Sequence, residues 1–158
     1  MHIIKLLGIG TLFFCGALTG VFWASFERTR CRQAEGFVDL IRNIRLQIDC
    51  FATPITGILA SLDAQLYASL GTPCVPPDLN TLLVQTPLLV DREYTQLLWD
   101  FAACLGTGYR EEELRYCDYY LARFVPLAQK TRDELEKRTR LAMILPLALS
   151  AALILLLC

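Results

Sequence analysis

Two stretches of this chain carry no charge. Leu6–Phe26 runs for twenty-one residues, and Leu141–Cys158 for eighteen, without an Asp, Glu, Lys or Arg. As α-helices rising about 1.5 Å per residue they would be roughly 31 and 27 Å long, close to the ~30 Å hydrocarbon core of a bilayer. In water, either would be an apolar cylinder with nothing to cover it. Both are therefore expected to be transmembrane helices. The first is longer than the roughly 7–15 apolar residues of a secretory signal, so it reads as a retained anchor.

Charge placement orients the chain. Arg28, Arg30 and Arg32 follow the first run, and Lys130, Arg132, Lys137, Arg138 and Arg140 precede the second. Lys5 is the only basic residue on the outer flanks. Basic residues stay on the cytoplasmic side of a membrane. The expected organisation is an N-terminal anchor at 1–26, a cytoplasmic domain at 27–140, and a C-terminal anchor at 141–158. Both termini would lie on the far side of the cell membrane. The basic residues beside the anchors suit anionic lipid headgroups. Residues 33–129 hold twelve acidic and six basic side chains. That acidic balance argues against nucleic acid and suits a partner with a basic surface.

The central domain reads as helices throughout. Phe37, Leu40, Ile41, Ile44, Ile48 and Phe51 recur at steps of three and four, one face of a helix over Glu27–Cys50. Thr53 and Pro54 then suit the start of a second helix, with Ile55, Ile58, Leu59, Leu62, Leu66 and Leu70 on one stripe. Together they predict an antiparallel hairpin. GTPCVPPD breaks the pattern. Asp78 is placed to cap a short helix over 79–86, and Asp91 to cap another that carries Tyr94, Leu97, Leu98, Phe101 and Leu105 and stops at Gly106. Glu111, Glu112 and Glu113 favour a helix start. Leu114, Cys117, Leu121, Phe124, Ala128 and Leu135 continue its stripe, with bends expected at Pro126 and Pro146. The fold class is all-α: a bundle of about five or six helices flanked by N- and C-terminal transmembrane helices.

Catalytic patterns are missing. The only histidine is His2, so no Cys–His or Ser–His pair is available in the central domain. GTG at 106–108 lacks the Lys-Ser/Thr of a phosphate loop. The seven cysteines, at 15, 31, 50, 74, 104, 117 and 158, form no CxxC pair and read as free thiols. No catalytic residue, metal or cofactor is expected. What remains is recognition. Arg42, Arg45 and Asp49 on the polar face of the first helix, with Glu111, Glu112 and Arg115, are candidate partner-binding residues. Arg45 and Asp49 are four apart and can pair with each other. Tyr109, Tyr116, Tyr119 and Tyr120 form a dense aromatic group, divided between core and interface. Gly16 and Gly20, and Ala148 and Ala152, are small residues four apart in the two anchors. They are candidates for helix packing in lipid, within one chain or in a homo-oligomer.

The order of these features resembles the stage III sporulation protein AB family. KLLGIGTLFFCGALTG is a KLLG-type start leading into a glycine-containing anchor. LIRNIRLQIDCFATPI is an amphipathic helix ending in a TP turn. LLWDFAACLG closes a helix on LG, and a polar helix then enters the C-terminal anchor. The resemblance covers most of the chain. It implies a helical domain like the inner-membrane platform of type II secretion and type IV pilus machines, with no enzymatic activity. It also implies a setting: the mother-cell membrane facing the forespore. The partners would be a secretion-type ATPase, stage III sporulation protein AA, and the other channel subunits. Two other readings fit the residues. One is a two-anchor adaptor for a soluble signalling protein. The other is a membrane enzyme acting on a lipid-linked substrate through Glu27, Asp133, Glu134 and Glu136.

Overall fold

The computed structural model describes residues 2–51, 55–72, 75–106 and 108–157, with the side chains at 2–9, 12–13, 51, 55–56, 142–143, 146–147, 150 and 153–157 set aside. These residues form six helices and no strand. They are α1 (His2–Phe51), α2 (Ile55–Ser61), α3 (Ala64–Leu70), α4 (Leu79–Gln85), α5 (Arg92–Cys104) and α6 (Arg110–Leu157). The expected all-α class and helix number hold. The flanking helices, however, are not separate elements: they are the two ends of α1 and α6. The junction ERTRCRQAE contains no Gly or Pro, and most of its residues lose little freedom in a helix. The same is true of KTRDELEKRTR in α6, which also continues through Pro126 and Pro146 without a break.

Among the described residues no helix is long and apolar enough to cross a membrane. Parts of both uncharged runs, 6–9, 12–13 and much of 142–158, lie outside the described side chains.

The single helix expected over 55–70 is two. Asp63 interrupts it, with an extended backbone and a carboxylate that accepts from the Gln65 N–H at 3.2 Å. A short acidic side chain that satisfies a nearby amide competes with the helix and starts a new one. The Thr53–Pro54 start lies outside the described residues. Asp78 and Asp91 sit at the expected cap positions of α4 and α5, but neither side chain makes a capping bond. Asp91 is instead ion-paired with Arg30 of α1.

The chain divides into two compact units, one of 1–28 with 132–158 and the other of 29–131. In the second unit the predicted stripes are the core. Phe37, Leu40, Ile41 and Ile44 of α1 are buried, as are Ile58 and Leu59 of α2 and Leu82 of α4. Ring contacts tie α5 to α6: Tyr94 lies 4.9 Å from Phe124, and Phe101 lies 5.3 Å from Tyr120. Moving back along α5 from 101 to 94 moves forward along α6 from 120 to 124, so the two helices are antiparallel.

Polar groups fasten the irregular segments onto α1. The buried Gln33 amide donates to the Leu70 carbonyl at 2.8 Å and to the Pro87 carbonyl at 2.9 Å. Its oxygen accepts from the Leu89 N–H at 2.7 Å. Tyr94 donates its hydroxyl to the Ala34 carbonyl at 2.7 Å, and the Thr72 and Thr86 hydroxyls meet at 2.7 Å. Gly71 closes α3 with φ of 84°, and the Thr72 N–H reaches back to the Tyr67 carbonyl at 3.1 Å. A left-handed residue at this place satisfies the last carbonyls of a helix, and glycine adopts it without strain.

In the first unit the described buried positions are Gly20, Ala24 and Glu27, which share one helical face. Large apolar side chains point outward: Phe22 is 76 % exposed and Ile144 is 63 % exposed, whereas Ala24 is 3 % exposed. Glu27 pairs with Arg138 at 3.8 Å.

Replacing Gln33 with Leu leaves two carbonyls and one N–H without this partner in a buried site. Each such group costs about 1–3 kcal/mol when water cannot reach it. Gln33→Leu is expected to lower unfolding free energy by roughly 2–4 kcal/mol, read from the denaturation midpoint of the full chain in detergent.

Candidate functional site

The candidate partner-binding residues fall into four places. Arg42 is exposed and, among the described residues, pairs with Asp39 on its own helix at 3.1 Å. Arg45 and Asp49 belong to an ion-pair chain between α1 and α6. The Arg45 guanidinium grips Asp118 with Nε at 2.6 Å and Nη2 at 3.3 Å, and stands 4.0 Å from Asp49. Asp49 is also paired with Arg110 at 3.1 Å. The hydrogen bond and charge of Asp118 raise the Arg45 pKa further above its ordinary value. The i,i+4 pairing of Arg45 with Asp49 is thus the weaker of its two contacts.

Arg110 does more than pair. Its Nε donates to the Ile48 carbonyl at 3.1 Å, and its Nη2 donates to the Asp49 carbonyl. Ile48 and Asp49 are in the last turn of α1, where helix carbonyls have no intrahelical donor. The first residue of α6 therefore caps the end of α1. Arg110 and Asp118 were not among the sequence candidates. They lie 61 and 73 residues from their partners, so no local spacing points to them.

Glu112 and Arg115 come together elsewhere. They line a groove of about 460 Å³ with Cys104, Tyr116, Tyr119 and Tyr120. Glu112 has a structural task as well: its carboxylate accepts from the Tyr109 N–H at 3.3 Å, at the third position of α6. That is half of a capping box and favours the start of the helix. Glu111 is exposed in the same first turn and is not part of the groove.

The tyrosines divide as burial dictates. Tyr120 is buried in the core cluster, whereas Tyr116 and Tyr119 are exposed. Tyr109 is 85 % exposed and lies outside the groove. Tyr119 packs edge-on against Tyr120 at 5.2 Å, and the Arg123 guanidinium lies 5.1 Å above its ring. These contacts hold the Tyr119 ring in place, as suits an interface aromatic. The Tyr120 hydroxyl lies 3.7 Å from the Cys104 sulfur. Burial, then the bond to Cys104, pushes the Tyr120 phenol up to about 12. The groove thus presents tyrosine hydroxyls and ring faces, the Glu112 carboxylate and the exposed Arg115 guanidinium.

Among the described residues of the second unit, the shifted thiol and phenols all move upward, away from ionisation. Burial, reinforced by Glu113 and Asp118, pushes the Cys117 thiol up to about 12, so it stays protonated at neutral pH. Among the described residues no cluster of His, Cys, Asp or Glu is arranged to hold a metal. In the first unit, three of the four carboxylates weighed for lipid-linked chemistry are engaged by arginine: Glu27 and Glu134 by Arg138, and Glu136 by Arg140. Of the packing candidates, Gly20 is buried and Gly16 half-buried, whereas Ala148 and Ala152 are exposed. The alanine pair is not on the buried face of its own unit.

The buried thiol gives stability a pH dependence. An unfolded cysteine ionises near 9.0, while the folded Cys117 holds its proton to about 12. Between those values the unfolded state loses a proton that the folded state keeps, so stability present below pH 9 is lost as pH rises. The denaturation midpoint is expected to fall from pH 9 to 11, with a shallower fall in Cys117→Ala; a flat profile would contradict this assignment. No protein-family model, curated protein or solved structure matches the chain.

Proposed function

We propose that this chain is a non-enzymatic, membrane-anchored platform subunit whose helical domain docks a cytoplasmic ATPase in a secretion-like channel complex. The observation that carries the reading is the inside-out first unit. A small-residue face at Gly20 and Ala24 is turned inward, while Phe14, Val21, Phe22, Leu141 and Ile144 face outward. A water-facing helix pair has the opposite pattern, with large apolar groups inside. In lipid, outward apolar side chains meet acyl tails, and small residues let helices approach closely. The two uncharged runs in the sequence supply the length for that environment.

The second unit supplies the docking side. The groove with Tyr116, Tyr119 and Arg115 is half aromatic and half polar, the composition of interface centres. The acidic first turn of α6 beside it favours a basic surface on the partner. The sequence resemblance to the stage III sporulation protein AB family supports the specific setting. The channel would be the mother-cell-to-forespore complex, the ATPase would be stage III sporulation protein AA, and other channel subunits would surround the anchors. Localisation would be the mother-cell membrane, with 27–140 in the cytoplasm.

The test uses the full chain in lipid nanodiscs and the purified ATPase. Binding is expected at low salt, weaker as salt rises, and about tenfold weaker in the double variant Arg115→Glu, Tyr119→Ala. Deleting the gene in an endospore former is expected to arrest development after engulfment. An ATPase that ignores the nanodiscs at every salt concentration, or normal sporulation without the gene, overturns the proposal.

A further inference from the structure

A second groove, of about 550 Å³, runs between α5 and α6 in the same unit. Its walls have opposite charge. Glu93, Gln96 and Asp100 line it from α5, and Arg123 and Lys130 from α6. Leu97 of α5, buried, and Leu127 of α6, half-buried, lie between them, and the exposed Ala122 and Pro126 complete the α6 side. Among the described residues, none of the four charged groups is in an ion pair, and no ion pair crosses the groove. Arg123 has only the Tyr119 ring.

We propose that this groove is the two-fold interface of a homodimer of the chain. A dimer with two-fold symmetry needs one surface that carries its own complement. This surface does. Rotation by a half-turn about the long axis of the groove exchanges the walls. It lays the acidic α5 of each copy on the basic α6 of the other. Glu93 and Asp100 of one copy then face Arg123 and Lys130 of the second, twice over.

A backbone group fits the same arrangement. Pro126 has no N–H, so the Ala122 carbonyl loses its helical donor. Both residues line the groove. The ring contacts of Phe101 with Tyr120 and Tyr94 with Phe124 put Gln96 close to the level of Ala122 along the helix pair. The half-turn preserves that level. The second copy's Gln96 then faces α6 near the level of Ala122. An unrelated basic or acidic partner would satisfy one wall and repel the other. The dimer stands or falls independently of what the tyrosine groove binds.

Charge reversal tests the interface. The full chain is measured in detergent by sedimentation, with helicity checked by circular dichroism. Wild type is expected to be dimeric at low salt and to dissociate as salt rises. The variant Glu93→Lys, Asp100→Lys is expected to weaken self-association about tenfold or more, and so is Arg123→Glu, Lys130→Glu, because each brings like charges together. Mixing these two variants is expected to give a heterodimer. Combining all four substitutions in one chain restores opposite walls and is expected to restore the homodimer. A dimer that survives both reversals is held elsewhere, for example through the anchors, and overturns the proposal. So does a monomer at every salt concentration, including one in which the reversals weaken ATPase binding instead.

Discussion

Gln33 lies on α1 with its amide buried, and three backbone groups from two other segments converge on it. Among the described residues of the second unit, those outside helices are most numerous between Gly71 and Asp91, and the sequence there explains why. Pro73, Pro76, Pro77 and Pro87 each lack an N–H, so the segment cannot close its own ladder of hydrogen bonds. Buried backbone groups need partners from somewhere. Gln33 supplies a donor pair and an acceptor at the points where the chain leaves α3 and approaches α5. Arg30 holds Asp91 a few residues further on, and Tyr94 bonds the Ala34 carbonyl. Together they fix where α5 begins, and both grooves have α5 residues in their lining.

The charged residues of the second unit serve two ends. One set joins helices: Arg30 with Asp91, Arg45 with Asp118, and Arg110 with Asp49 and two carbonyls. These pairs are partly exposed, so each contributes little on its own. Their geometry matters more, because a guanidinium that grips a carboxylate with two nitrogens, or two adjacent carbonyls, also sets helix register. The other set, Glu93, Asp100, Arg123, Lys130 and Arg115, lines grooves without an internal ion partner among the described residues. Composition counts both sets alike. Only the fold separates the charges already satisfied from those still available.

The apolar stripes were legible because helix periodicity is a local property. Phe37, Leu40, Ile41 and Ile44 are all buried, as steps of three and four require, and Gly106 stops α5 with a positive φ as its position implies. Element ends were less legible. Asp63 broke a stripe whose apolar rhythm continues through it, since the cap depends on one side-chain bond that periodicity does not register. The acids at 78 and 91 occupy cap positions, yet tertiary partners or other geometry prevailed over capping. Of the candidate site, the tyrosine spacing and Arg115 could be read in advance. Arg110 and Asp118 could not, because their partners are brought near only by the packing of α6 on α1. α1 and α6 each run on through the change from apolar to charged residues. A change from apolar to charged residues marks a change of surroundings, and it does not require a change of backbone.

Arg110 clasping the last turn of α1 has one more implication. It joins points about sixty residues apart in the chain, so everything from α2 to α5 is a closed excursion with its two ends buckled together. Lengthening such an excursion is thermodynamically mild, since doubling a flexible loop adds only about 0.6 kcal/mol of closure entropy. The proline-rich stretch near Val75 and Pro77 is exposed at both of those residues. The exposed positions near Val75 and Pro77 are thus a place where natural variants can gain or lose residues without unbuckling the two long helices, and where new surface can evolve while the frame stays the same.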